Sequence, residues 1–322
     1  MNSDINLLKK RTMSIKKFKH AVRLFSASVL LLLLMYFVLF NAVKIKESFT
    51  LETYPVRTSS AVNSKSQNEP INVHKEKLSF IVNQLNEYLK TLKGNYGIYY
   101  YNLITGDSFG INDTAAFPAA STVKLPLNLY LYRKITDGTI NPDSLLKYEK
   151  QDYEEGTGKI QYKQLNSQFS IKELSRLSIE ESDNIAANIL FRYLGKNNVK
   201  NFMSQCGASI VEYESNITCA RDMGLYMKLL YNFCKYNATV GNELLSDLTN
   251  TQFNDRIPAG IPKSITVAHK IGTLSNVIND VGIIFTDKPY VLSVLSNNVT
   301  EKDAVSAIKT ISEMVYNYNN TL

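Results

Sequence analysis

The sequence predicts a fold of the α/β (α+β) class. One antiparallel sheet is flanked by terminal helices, an all-helical lobe packs against it, and one transmembrane helix precedes both. Three observations carry this prediction. Strand patterns occur near both ends of residues 74–322, helical patterns fill the stretch between them, and an uncharged apolar run stands near the N-terminus. Apolar residues make up 44 % of the 322 and aromatics 11 %, enough for a sizeable core.

The net charge of +7 is unevenly placed. Residues 1–23 carry Lys9, Lys10, Arg11, Lys16, Lys17, Lys19 and Arg23 against Asp4. The rest of the chain, with 29 basic and 28 acidic residues, is close to neutral, so no nucleic-acid surface is expected. Leu24 to Val43, "LFSASVLLLLLMYFVLFNAV", has no charge in 20 residues. That length suits a helix crossing a bilayer core of about 30 Å. The cationic flank puts the N-terminus in the cytoplasm and the remainder outside. Phe40-Asn41-Ala42 is a poor cleavage site, which favours an uncleaved anchor over a signal peptide. The expected organisation is a basic tail (1–23), an anchor (24–43), a polar linker (44–73) and a folded domain (74–322) whose helical lobe spans roughly 121–260.

Within that domain Leu78, Ile81, Leu85, Tyr88 and Leu92 recur at steps of three and four, the stripe of an amphipathic helix. "YGIYYYNLITGDSFGIN" reads as two strands about a Thr105-Gly106-Asp107 turn. Ser170-Ile171-Lys172-Glu173 is a capping box that opens a helix. "IAANILFRYL" and "ARDMGLYMKLLYNF" are two more helices. Strands return with "SITVAHKIGT", "VGIIFTD" and "YVLSVLSNNV". A last helix follows Thr300, with Ala304, Ile308, Ile311 and Val315 on one stripe. A cleft between lobe and sheet is where a ligand would be expected.

Cys206, Cys219 and Cys234 leave their disulfide pairing open, and no Cys/His spacing suits a metal, so neither metal nor cofactor is expected. His20 falls in the basic tail and His74 at the linker's end. A Ser-His-Asp triad would therefore rest on His269, and a base other than histidine is more attractive.

Three short motifs could supply one. Ser121-Thr122-Val123-Lys124 places a hydroxyl and an amine three residues apart, on one face at a helix start. Unpartnered backbone N–H groups there favour an anion forming at Ser121. A lysine is a poor base at its reference pKa of about 10.4, but desolvation or a second cation lowers that value. Ser182-Asp183-Asn184 lies between two helices, where the Ser182 hydroxyl could relay a proton and the Asn184 amide hold a carbonyl or the Lys124 ammonium. Lys270-Ile271-Gly272-Thr273 ends a strand: Lys270 could bind a carboxylate, Gly272 lets a ligand approach the backbone closely, and the Thr273 N–H could join that of Ser121 as an oxyanion hole. Each motif also has a plain structural reading, as a helix cap with a solvated lysine, a second helix cap, and a strand end with an exposed lysine.

Taken together and in this order, S-x-x-K, S-D-N and K-x-G-T resemble the class A β-lactamase and penicillin-binding-protein superfamily. Phe117 and Ala120 before the serine and "SDNIAANIL" around the second motif fit as well. The resemblance implies a β-lactamase/transpeptidase-like fold, with Ser121 the acylated nucleophile, Lys124 the proton acceptor and Ser182 a further catalytic residue. Asn184, Lys270, Gly272 and Thr273 would bind substrate, the Thr273 hydroxyl helping to hold a carboxylate. The expected partner is a β-lactam or a D-Ala-D-Ala-like small molecule, and the expected state a monomer. Ile271 stands where the family usually has Thr or Ser, and strand alternation should turn it from the cleft.

Family enzymes that hydrolyse the acyl-enzyme use a glutamate in an E-x-x-x-N stretch. Here 38 residues separate Asn184 from Met223, a shortened span, and "EYESN" makes Glu212 the candidate. Without such a base the chain would act as a D,D-peptidase or penicillin-binding protein, or as a non-enzymatic sensor of β-lactams or cell wall.

Overall fold

The computed structural model describes residues 68–322, together with the isolated residue Met35. The basic tail, the anchor apart from Met35, and residues 44–67 of the linker lie outside the described residues. Among those described, no helix is long and apolar enough to cross a membrane.

Helix α1 (Asn68–Lys90) leads into β1 (Asn95–Asn102) and β2 (Ser108–Ile111). Gly106 turns between these two strands at φ +81°. The short β3 (Phe117–Pro118) and a 3₁₀ turn (Ala120–Val123) precede α2 (Lys124–Thr136). The lobe continues with β4 (Leu145–Lys147), β5 (Gln168–Ser170), α3 (Ile171–Glu180), α4 (Asn184–Leu194), α5 (Lys196–Gln205), β6 (Ile217–Thr218), α6 (Ala220–Tyr236) and α7 (Ala238–Thr249). Then come β7 (Thr266–Leu274), β8 (Val277–Phe285), β9 (Tyr290–Asn297) and α8 (Glu301–Asn320).

The main sheet runs β2-β1-β9-β8-β7, antiparallel throughout, so the first and last strands of the domain do meet in one sheet. Strand alternation divides its side chains between two cores. Ala268, Val281, Ile283, Val291 and Leu295 join the apolar interior of the lobe. Ile98, Tyr100, Ile278, Ile284, Leu292 and Val294 join Ile81 and Leu85 of α1 and the stripe Ala304, Ile308, Ile311 and Val315 of α8. β8 and β9 are thus covered on both faces, and almost every residue in them is buried, Asn279, Asp280, Ser293 and Ser296 included.

Inside the lobe, Asp183 decides how one loop lies. It caps α4 by accepting from the Ala186 N–H at 2.9 Å. Its other oxygen accepts from the N–H groups of Lys159 and Ile160 at 2.8 and 2.9 Å. Gly158 has φ +101°, and a Cβ there would sit 2.2 Å from the Asp183 carboxyl carbon, so only glycine lets the chain pass this close. Replacing the buried Asp183 by Ala leaves three backbone donors unpaired. Urea unfolding of Asp183→Ala is expected to show a loss of about 2–4 kcal/mol.

Candidate active site

Ser121 lies in the 3₁₀ turn and Lys124 is the first residue of α2. The i,i+3 spacing brings Lys124 Nζ to 3.1 Å from Ser121 Oγ. The turn is strained where it presents the serine, because Ala120 has φ +48°. Neighbours fix it from two sides. Asn279 Nδ2 on β8 donates to the carbonyls of Pro118 and Ala119, and Asn216 Nδ2 donates to the Ala120 carbonyl at 3.0 Å.

Lys124 is 4 % exposed and surrounded by acceptors. Its Nζ lies 2.5 Å from the Ser182 carbonyl, 2.8 Å from Asn184 Oδ1 and 3.3 Å from Ser182 Oγ. Burial pushes its pKa down to about 8, opposed in part by the charges of Glu154 and Asp183. The two shortest contacts, a carbonyl and an amide oxygen, can only accept. They match the two N–H groups of a neutral amine, leaving its lone pair for the hydroxyl of Ser121.

Lys270, on β7, is fully buried and donates to Ser182 Oγ at 2.9 Å. Burial holds its pKa well below the ordinary lysine value, and the charge of Lys124 adds to the effect. Ser182 therefore stands between the two amines, at φ +53°, a left-handed conformation costly for a residue with a Cβ. The three motifs, far apart in sequence, meet at this hydroxyl.

Gly272 lies against the turn that carries Ser121. A Cβ there would meet the Ala119 carbonyl oxygen at 2.8 Å and Ala120 Cβ at 3.1 Å. The space expected for a ligand at this glycine is thus taken by the protein's own chain, which brings the β7 edge up to the turn that carries Ser121. Thr273 Oγ1 accepts from Arg256 Nη2 at 2.7 Å, and Arg256 Nη1 donates to the carbonyls of Gly272 and Asn279. Arg256, 2 % exposed, escaped the reading of the sequence. Apart from an ion pair with its neighbour Asp255 at 3.7 Å, its partners come from β7 and β8, which no spacing in the chain marks.

A cleft of about 1120 Å³ runs along this junction, lined by Ser121, Lys124, Ser182, Asn184 and Thr273. Ile271 pairs with Asp280 and lines the cleft, so alternation does not remove it from the wall, whereas its neighbours Lys270 and Gly272 are buried and outside the lining. His269 is enclosed in the sheet, its Nδ1 2.9 Å from Asp280, and does not line the cleft. Glu212 is exposed and also outside the lining; the acids that line the cleft are Glu154, Glu155, Glu214, Asp255 and Glu301. Cys206, Cys219 and Cys234 are all free thiols.

A serine hydroxyl on a strained turn, hydrogen-bonded to a buried amine at a sheet–lobe junction, is the constellation of a serine hydrolase. Residues 81–319 match the model of the Beta-lactamase enzyme family, and the chain belongs to that family. It is similar to β-lactamase VEB-1 of Pseudomonas aeruginosa, with 22 % identity over 273 residues covering 73 % of this chain and 89 % of that protein. It is also similar to a β-lactamase of Bacillus subtilis, with 27 % identity over 236 residues, covering 67 % and 75 %. Among solved structures, PBP-A aligns with TM-score 0.72 and 25 % identity, over 76 % of this chain and 97 % of that one. A point mutant of PBP-A, solved as an acyl-enzyme complex with penicillin G, aligns with TM-score 0.71 and 25 % identity, over 76 % and 98 %.

Gly272→Ala should push the β7 edge from the turn that carries Ser121 while leaving the cores intact. Covalent modification of Ser121, followed by mass spectrometry, is expected to slow roughly 100-fold. Urea unfolding should shift by only about 1–3 kcal/mol.

Proposed function

We propose that the chain is a membrane-anchored, extracytoplasmic enzyme that takes a β-lactam onto Ser121 as an acyl-enzyme. The observation that carries this reading is the hydrogen bond between Ser121 Oγ and a buried Lys124 whose pKa is lowered to about 8. The uncharged run from Leu24 to Val43 and its basic flank motivate the anchor, with the N-terminus in the cytoplasm.

In this reading neutral Lys124 takes the Ser121 proton as Oγ attacks the lactam carbonyl. The N–H groups of Ser121 and Thr273 receive the oxyanion. Lys124 then returns the proton through Ser182, which it touches, to the departing lactam nitrogen. Thr273, with Arg256 behind it and Lys270 beside it, receives the substrate carboxylate. The Asn184 amide, on the lobe side, orients the acyl group.

A second reading, a D,D-peptidase acting on D-Ala-D-Ala wall peptides, is favoured by one observation. Glu212, the glutamate the family pattern would offer for hydrolysis, is exposed and outside the cleft. Nitrocefin separates the two readings, since many cycles mean a β-lactamase and one burst followed by a stall means the peptidase.

A fluorescent penicillin is expected to label the protein, and Ser121→Ala to abolish the label; an unlabelled wild type at high reagent concentration overturns the proposal. Lys124 acts as base only when neutral, so acylation should rise with pH, about tenfold between pH 7 and 9, with its midpoint near the pKa of about 8. A rate that is flat across that range would remove Lys124 from the role.

A further inference from the structure

If Ser121 is acylated as proposed, release of the acyl group needs a water and a base. Glu212 is not placed for the task. The carboxylates felt at Lys124 are those of Glu154 and Asp183. Asp183 is spent, because its oxygens accept from the N–H groups of Ala186, Lys159 and Ile160. Glu154 is not spent in this way. It lines the same cleft as Ser121 and Lys124 and is open to solvent water.

Glu154 is also held in place. Asn188 Nδ2 donates to Glu154 Oε2 at 2.8 Å and to the Asp152 carbonyl at 3.2 Å. Asn188 lies one helical turn along α4 from Asn184, whose Oδ1 touches Lys124, so both asparagines share one face. The loop that carries Glu154 is pinned to the same turn. Thr157 Oγ1 donates to the Ser182 carbonyl at 2.6 Å, and the Asn184 N–H donates to the Thr157 carbonyl at 3.2 Å. Gly156 and Gly158 let this loop lie against the S-D-N turn. A carboxylate is thus delivered to the cleft from the loop before S-D-N, on the opposite side in sequence from the shortened loop after it.

We infer that Glu154 is the general base that releases the acyl group from Ser121, with Asn188 as its positioning residue. The step rests on the acyl-enzyme reading above. A water oxygen attacks the ester carbonyl carbon while its proton passes to Glu154. The bond between that carbon and Ser121 Oγ then breaks, and the proton held by Glu154 travels through Lys124 to Oγ. One ester and one water become one acid and one hydroxyl, and Glu154 and Lys124 end as they began.

The test uses benzylpenicillin with intact-mass spectrometry of the full chain, and nitrocefin for turnover. Wild type should gain the penicilloyl mass and then lose it. In Glu154→Gln the mass gain should form within about threefold of the wild-type rate but persist, with release slowed about 100-fold or more. Glu154→Asp should recover part of the release, and Asn188→Ala should slow release with little effect on acylation. Glu212→Gln should turn over as wild type does. A structural role for Glu154 would move acylation and release together, whereas a base role separates them. Release by Glu154→Gln at close to the wild-type rate, loss of release in Glu212→Gln instead, or a wild-type adduct that never clears would each overturn the inference. A wild type that gains no mass would refute the acyl-enzyme reading itself, and this step with it.

Discussion

The site depends on one buried amine. Placing the Lys124 ammonium in a nearly sealed position costs solvation, and the protein answers with oxygen acceptors on several sides, from Ser121, Ser182 and Asn184. Those acceptors come from two places in the chain, the turn before α2 and the turn before α4. The lysine therefore ties Ser121 to the S-D-N motif, while the burial that comes with this position lowers its basicity. A lysine with the same neighbours but open to water would keep a far smaller neutral fraction at neutral pH than one whose pKa burial has lowered to about 8.

That requirement accounts for much of the surrounding strain. Ala120 and Ser182 both adopt left-handed backbone conformations. Each is over-determined by its surroundings. Asn279 and Asn216 fix the first turn, and Thr157, Lys124 and the capping carboxylate of Asp183 fix the second. Such strain persists only where neighbours hold it. The neighbours belong to the sheet on one side and to the lobe on the other, so the cleft is as rigid as the junction of the two cores.

Much of this was legible in the sequence. The stripe in α8 and the capping serine of α3, whose Oγ accepts from the Glu173 N–H, are where local pattern put them. So is the Gly106 turn. Local rules govern these elements, and each could be read by itself. The motif residues were legible in another way. Taken singly each was an ordinary cap or strand end, and Asp183 is indeed a cap. Their order was the informative feature. Helix α5 went unread because polar residues interrupt its apolar spacing, whereas the Val240, Leu244 and Leu248 stripe of α7 was there to be read. Arg256 and Asn279 were out of reach because their roles exist only across the sheet, and no spacing in the chain encodes them. Glu154 belongs with these. It matters through Asn188, and the two are joined by tertiary contact alone.

Ser182 Oγ touches both Lys124 and Lys270. Two ammonium groups sharing one hydroxyl repel each other, and the hydroxyl cannot donate to either while both are charged. If one amine is neutral, its lone pair accepts the Ser182 proton and the second amine stays the donor. The shared hydroxyl then becomes a path along which a proton can move. Both lysines are displaced downward in pKa, which keeps that neutral state within reach near physiological pH. The fold enforces the pairing because Lys270 stands on β7 opposite Val281, facing the lobe's apolar core. There it has no water to turn to, and its nearest partner is the hydroxyl that Lys124 also needs.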